Sequence, residues 1–516
     1  MTEPQNGNSN RQPSSPPLNQ KVPRKAWMSL AILGSALLIA MYGETMLLPA
    51  IPDIIKEFHI SYTTSSWILS AYLIAGAVAT PVGGKLSDIY GRKKMVITIM
   101  IIYIIGITLG GLSPNFTFLI VARVIQGIGI SMFPIAFGII RDQFPREKLA
   151  IGVGVFSSMF AAGSVVGLAL GANIIENFGW RTTFFSIIFV AIGLWFIIRR
   201  YIDDNQDSAY IMQSPQLGNS LDSTDKYIKV PNKTDTITNN TKNIDIKGTI
   251  ALAVTISSFL MVLSFSQTDH IENSQIALFL SVTTISLFLF IIIEKISKSP
   301  LVNFQLMTNK MILSANIILV IAFLAMFTVF QTIPVLVRSP QPLGFGESVI
   351  TTAQIQLPFM IVFLLFAPSS GYIVSKLGNV KPTLIGSIVS AIGFFSLFVF
   401  HSTGILVATN LAVVAAGLSL MQVGGFNIIL QYTPKKFSGI SLGMTVLFNL
   451  IGASIGPAIA GIYMQANQVF VKGVIGSFPS PDSYNLIFFT VALASLVPIA
   501  LSIFIKKKLP YQVLIE

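Results

Sequence analysis

The 516-residue chain has no cysteine, three histidines and little charge: 10% of it is Asp, Glu, Lys or Arg, against about a quarter in soluble domains. Without cysteine there are no structural disulfides and no thiolate metal centres. His59, His270 and His401 lie far apart in or beside loops, which suits loop polarity rather than a metal site. No GxxxxGK[ST] loop occurs, so P-loop ATP hydrolysis is excluded. No acid, base and nucleophile cluster together either, so the chain is not read as an enzyme and calls for no cofactor.

What is abundant is apolar. Hydrophobic residues make up 53% of the chain, and the mean hydropathy is +0.74. A hydrocarbon core about 30 Å thick needs about 20 apolar helical residues per crossing. Fourteen segments meet that length, near 27–50, 62–84, 95–112, 116–140, 149–174, 180–199, 247–266, 276–294, 311–336, 348–373, 381–400, 404–430, 438–464 and 485–505. The expected fold is therefore an all-α, multi-pass membrane protein, because spanning helices satisfy their own backbone polar groups. With the N-terminus inside, the inner tails and loops hold 28 of the 33 Lys and Arg. That bias places both termini in the cytoplasm and requires an even number of spans. The net charge of +12 then reads as topology, with no nucleic-acid partner.

The expected organisation is a cytoplasmic tail (1–26), a six-helix bundle (27–199), a polar, flexible cytoplasmic linker (200–246) and an extra helix pair (247–294). A cytoplasmic connector (295–310), a second six-helix bundle (311–505) and a cytoplasmic tail (506–516) complete it. The two bundles repeat each other. Shifted by 287 residues, Gly84 and Gly91 of GKLSDIYGRKK meet Gly371 and Gly378 of GYIVSKLGNVK, Glu44 meets Gln331, and Arg123 meets Asn410. With a further slip of two, Gly163 and Gly167 meet Gly452 and Gly456. Two such halves around a midplane site are the architecture of a rocking transporter.

Glu44 is the one acid that the pattern sets inside a span, close to the end of span 1. An ionised carboxylate there is costly, which fits it for proton exchange, and Arg123 within span 4 is its expected partner in proton coupling. Gln126, one turn from Arg123, shares its face and is expected to line the substrate cavity. Gln331, Gln354, Gln356, Gln422, Asn427 and Asn449, set among Met and Phe, suit the cavity of an amphipathic organic substrate. Gly163, Gly167 and Gly171 form a smooth ridge on span 5, repeated by Gly452, Gly456 and Pro457 on span 13. Span 5 is expected to pack its ridge against the opposite half. Gly84 and Gly91 are expected to allow a tight turn that sets Asp88 where it caps a helix across the halves, with Arg92 pairing Asp142 as an inner gate.

These motifs resemble the major facilitator superfamily. GKLSDIYGRKK resembles its inner-loop signature, LIVARVIQGIGI its fourth-span motif, and AAGSVVGLALGANI its span 5 antiporter motif. Fourteen spans, GETMLLPAIPDI in span 1, NIDIKG entering span 7 and EKISKSPLVNFQLM after span 8 are similar to the fourteen-helix drug:proton antiporters. Two positions depart from that pattern: Gly43 stands where the family often has Asp, and Ser164 follows Gly163 where it has Pro. The resemblance implies proton-coupled efflux of hydrophobic or cationic amphiphiles by alternating access in the cell membrane. The partners implied are a small amphiphilic substrate, protons and the lipid bilayer, with the chain acting as a monomer. A same-fold transporter of one native metabolite and a non-transporting membrane receptor stand as alternatives.

Overall fold

The structure is a computed structural model that describes residues 22–144, 149–202, 245–265, 273–297, 300, 302, 304–433, 438–471 and 476–508. Most of the polar linker, both terminal tails and His270 lie outside the described residues.

All fourteen expected crossings are helical. Thirteen are long and apolar enough to span a bilayer by length and composition. The remaining one, span 7, is the helix Ile246–Phe265. Side chains cap several starts: Asn115 Oδ1 accepts from Phe118 N at 2.9 Å before span 4, and Ser348 Oγ accepts from Thr351 N at 3.2 Å before span 10. Gly91, with φ +95°, and its repeat partner Gly378, with φ +74°, turn span 2 into span 3 and span 10 into span 11. Such angles favour glycine, which is the physical reason the repeat keeps it there. Gly84 takes no part in that turn. It lies within the helix Trp67–Tyr90, and Gly371 lies within Val349–Leu377.

Four of the described spans are interrupted, span 2 between a short turn Tyr62–Ser65 and the helix Trp67–Tyr90. Span 1 runs as a helix Arg24–Thr45, a 3-10 turn Leu48–Ala50 and a helix Ile51–Phe58. Span 4 passes from Phe116–Gly127 through a 3-10 turn Ile128–Ser131 into Met132–Gln143. Span 14 breaks between Ala494 and Leu496. A short antiparallel hairpin, β1 (Gln468–Phe470) and β2 (Ser477–Pro479), joins spans 13 and 14 with Val469 opposite Phe478.

Span 5 packs on span 1 within its own half and on span 10 of the other, while span 2 packs on span 13. Spans 7 and 8 pair with each other, and span 7 also reaches spans 2 and 13 along that seam. A hydroxyl ladder joins the pair: Thr255 Oγ1 donates to Ser286 Oγ at 3.0 Å, and Thr283 Oγ1 to Ser258 Oγ at 2.9 Å. The exposed face of span 8, with Leu280, Ile285 and Phe288, is apolar, as a lipid-facing helix requires.

Among the described residues, hydrogen bonds between the halves gather at the end away from the termini. Thr63 Oγ1 donates to Gly461 O at 3.2 Å, and Ser70 Oγ to Ser454 O at 2.7 Å. Arg338 forks onto Asp53, with Nη2 to Oδ1 at 2.6 Å and Nη1 to Oδ2 at 3.1 Å. On the other seam Val349 N donates to Glu176 Oε2 at 3.2 Å. The halves are therefore closed together at this end.

Candidate functional site

The break in span 1 builds the first half of the site. Glu44 is 6% exposed, next to last in the helix that ends at Thr45. The span continues beyond it to Phe58, because Pro49 and Pro52 sit at the starts of the next two helical pieces. The acid therefore lies in the middle of span 1 rather than close to its end.

Arg123 is fully buried and fixed from several sides. Its Nε donates to Ile68 O at 3.0 Å, and Nη1 donates to Gly43 O at 2.9 Å and to Gln126 Oε1 at 2.8 Å. The guanidinium stacks over the Tyr72 ring at 4.4 Å from its centroid. Two phenols grip the same stretch of span 1: Tyr103 Oη donates to Ile39 O at 2.9 Å and Tyr72 Oη to Ala40 O at 3.1 Å. Spans 2, 3 and 4 thus take the carbonyls of residues 39, 40 and 43 just before the helix breaks. Arg123 does not reach the membrane surface; it cross-braces spans 1, 2 and 4. Glu44 lies close enough to Arg123 to feel its charge, with no direct ion pair between them among the described residues. Arg123 Nη2 and Gln126 Nε2 have no protein partner among the described residues. A buried acid beside a fixed positive charge can give up and regain a proton without the site collapsing.

The C-terminal half contributes neutral amides. Gln331 is fully buried and its Nε2 donates to Ser65 Oγ of the other half at 3.1 Å. Gln356 and Asn449 are buried, and Gln422 is half-buried. Gln356 Oε1 and Nε2, Asn449 Oδ1 and Gln422 Nε2 make no protein hydrogen bond among the described residues. Asn427 instead turns back on its own helix, donating to Val423 O at 2.8 Å. Gln354 departs from the expected cavity. It is exposed on the stripe of span 10 that also carries Ile361 and Leu365, whereas Gln356 is two residues round the helix. Beside Gln331 and Gln356, Phe330 meets Phe359 edge-on at 5.2 Å, and Phe359 stacks on Phe363 at 6.0 Å.

At the termini end, the side chains of Asp88 and Asp142 lie outside the described residues. The Arg92 guanidinium lies against Gly138 of span 4, where a Cβ would meet its Cζ at 3.1 Å. The ridge of span 5 corrects the sequence expectation: it faces span 1 of its own half. A Cβ on Gly163 would overlap Leu38 O, one on Gly167 would stand 2.7 Å from Tyr42 O, and one on Gly171 2.7 Å from Met46 O. In the repeat, Gly452 abuts Val320 O of span 9 and a Cβ on Gly456 would lie 2.5 Å from Leu324 O. Pro457, next to it, is buried inside the helix Ser438–Ala466. The physical reason is approach distance, since a glycine row lets two backbones touch where any side chain would hold them apart. His59 and His401 occupy separate loops, and His401 Nδ1 turns onto the carbonyls of Leu397 and Phe398 at 3.0 and 3.1 Å.

Sequence reasoning missed Tyr72, Tyr103, Ser65 and the Asp53–Arg338 pair. Aromatic and small hydroxyl residues are common in apolar helices and carry no signal in one sequence. Arg338 was visible as an exception to the charge asymmetry.

The description "Major Facilitator Superfamily" matches residues 33–457. Among similar chains, "Multidrug transporter protein MdtP" of Bacillus subtilis (strain 168) is 27% identical over 446 residues, covering 85% of this chain and 76% of that one. "Multidrug resistance protein 3" of the same organism is 26% identical, covering 90% and 86%. "Tetracenomycin C resistance and export protein" of Streptomyces glaucescens is 22% identical, covering 86% and 76%. Among solved structures, the human organic anion transporter MFSD10 (TETRAN) superposes with a TM-score of 0.60 at 12% identity, over 93% of this chain and all of that one, a likeness of fold. With fourteen apolar helical spans, a buried acid in the first and a family match over most of its length, the chain belongs to the major facilitator superfamily of membrane transporters.

Proposed function

We propose that this transporter is a proton-driven exporter of amphiphilic, chiefly cationic, organic molecules, working by alternating access in the cell membrane with both termini cytoplasmic. The observation that carries the reading is Glu44, a buried carboxylate at the break in span 1, held beside the immobilised Arg123. A carboxyl that must release its proton before it accepts a cation couples the two by competition. Neutral amides and stacked phenylalanines across the cavity offer an amphiphile apolar surface and a few hydrogen bonds, not the dense polar lining a sugar requires. Relatives named as multidrug transporters support the same substrate class.

The test is export of ethidium from vesicles under an imposed pH gradient. Glu44→Gln should insert and fold as the parent does, yet lose the ethidium export that follows the gradient. Gradient-driven export that survives the substitution would overturn the reading.

A further inference from the structure

The repeat pairs Glu44 with Gln331, and the second residue has taken on a different task. Gln331 is fully buried on span 9 and reaches across to Ser65, in the short turn Tyr62–Ser65 that begins span 2. Ser65 Oγ already donates its only proton to Tyr62 O at 2.7 Å. It can therefore only accept from Gln331, which fixes Nε2 as the atom facing Ser65 and leaves Oε1 without a partner among the described residues. The turn it holds carries further hydrogen bonds across the halves. Tyr62 N donates to Gln465 Oε1 at 3.2 Å, Tyr62 Oη to Ser477 O of the hairpin at 3.3 Å, and Thr63 Oγ1 to Gly461 O. A Cβ on Gly461 would sit 2.9 Å from Thr63 Cα, so the turn lies flush on span 13. One amide thus holds the closing turn with its nitrogen while its buried oxygen has no hydrogen-bond partner among the described residues.

We propose that Gln331 is the residue through which substrate occupancy releases the end of the transporter opposite the termini. The two amide atoms share one rotor. A substrate that offers an N–H or O–H donor to Oε1 turns Nε2 away from Ser65 and frees the Tyr62–Ser65 turn from span 9. The substrates that open this end are then amphiphiles carrying a hydrogen-bond donor, and a lipophilic cation without one binds but does not open it. The inference rests on the central site being a substrate site.

The experiment exploits the absence of cysteine. Spin labels are placed on Lys56→Cys, exposed in the first half, and Phe470→Cys, 83% exposed on the hairpin of the second, and their distance distribution is read in proteoliposomes. Without any substrate, Ser65→Ala and Gln331→Leu should each raise the long-distance population several-fold over the parent. Ethidium, which carries two amino donors, should lengthen the distance in the parent and add nothing in Ser65→Ala; tetraphenylphosphonium, which has no donor, should leave the parent closed. Unchanged substrate-free distributions in both variants overturn the latch, whatever the substrate. Equal opening by both cations, or ethidium bound without opening, overturns the release step. Failure of the parent to bind either cation overturns the substrate class proposed above, and the substrate-free comparison still decides the latch.

Discussion

Gly43 leaves no room for a side chain. A Cβ there would overlap Tyr103 Oη and stand 2.6 Å from Gln126 Nε2, so the phenol and the amide fill the space that the acid of related sequences would need. In this chain the acid is the next residue, Glu44. Gly43→Ala should cost about 1–3 kcal/mol as an overpacked site, whereas Tyr103→Phe should cost about 0.5–1.5 kcal/mol for its bond to Ile39 O. Because the phenolic oxygen is the nearer obstacle, the double substitution should be no less stable than Gly43→Ala alone. Thermal unfolding in detergent measures this, and strictly additive losses would refute it. Glu44, Arg123 and Gln126 were legible in the sequence because a charge inside an apolar run is costly and therefore conspicuous. Gln354 misled because an amide near a helix end can face either way, and only the neighbours in space decide.

Helices dock here through glycine rows whose spacing is readable but whose partner is not. Residues four apart share a face, so the row Gly163, Gly167 and Gly171 predicted a close helix contact. Only the fold shows that the contact is span 1, and that the repeat copy likewise meets span 9. The breaks in spans 1 and 4 were hidden for a related reason: their Pro and Gly residues are compatible with a continuous membrane helix, and the side chains that take the span 1 carbonyls of residues 39, 40 and 43 come from other spans. A matched set of substitutions separates glycine's packing role from its composition. Gly167→Ala should lose about 1–3 kcal/mol through overlap with Thr45 and Tyr42. Gly91→Ala should lose about 1–2 kcal/mol from its positive φ. Gly84→Ala, with nothing within 4 Å of the added Cβ, should stay within about 0.5 kcal/mol of the parent. Equal effects at Gly84 and Gly167, measured by unfolding in the same detergent, would mean that the ridge is not a contact.

Two half-molecules that rock need contacts that form at one end only, and the sequence motif lies at the end opposite to the cross-half contacts described here. The charged loop GKLSDIYGRKK drew attention to the termini side, while the closed side is held by Asp53–Arg338, by Glu176 at the start of span 10 and by the Tyr62–Ser65 turn. None of these could be paired from sequence, since each joins residues more than 170 positions apart. Asp53 and Arg338 are 31% and 22% exposed, so water and salt reach them. A partly exposed pair contributes about 0–1 kcal/mol, its forked geometry setting it at the upper end. On an equilibrium between two arrangements, about 1 kcal/mol is roughly a five-fold change in ratio. Arg338→Gln should therefore open this end up to about five-fold relative to the parent. The exchange Asp53→Arg with Arg338→Asp should restore closure, and raising salt should move the parent toward the variant. Distances between labels on Lys56→Cys and Phe470→Cys report all three. A distribution that ignores both the substitution and the salt would show that this fork is incidental, leaving closure to the buried contacts of the Tyr62–Ser65 turn.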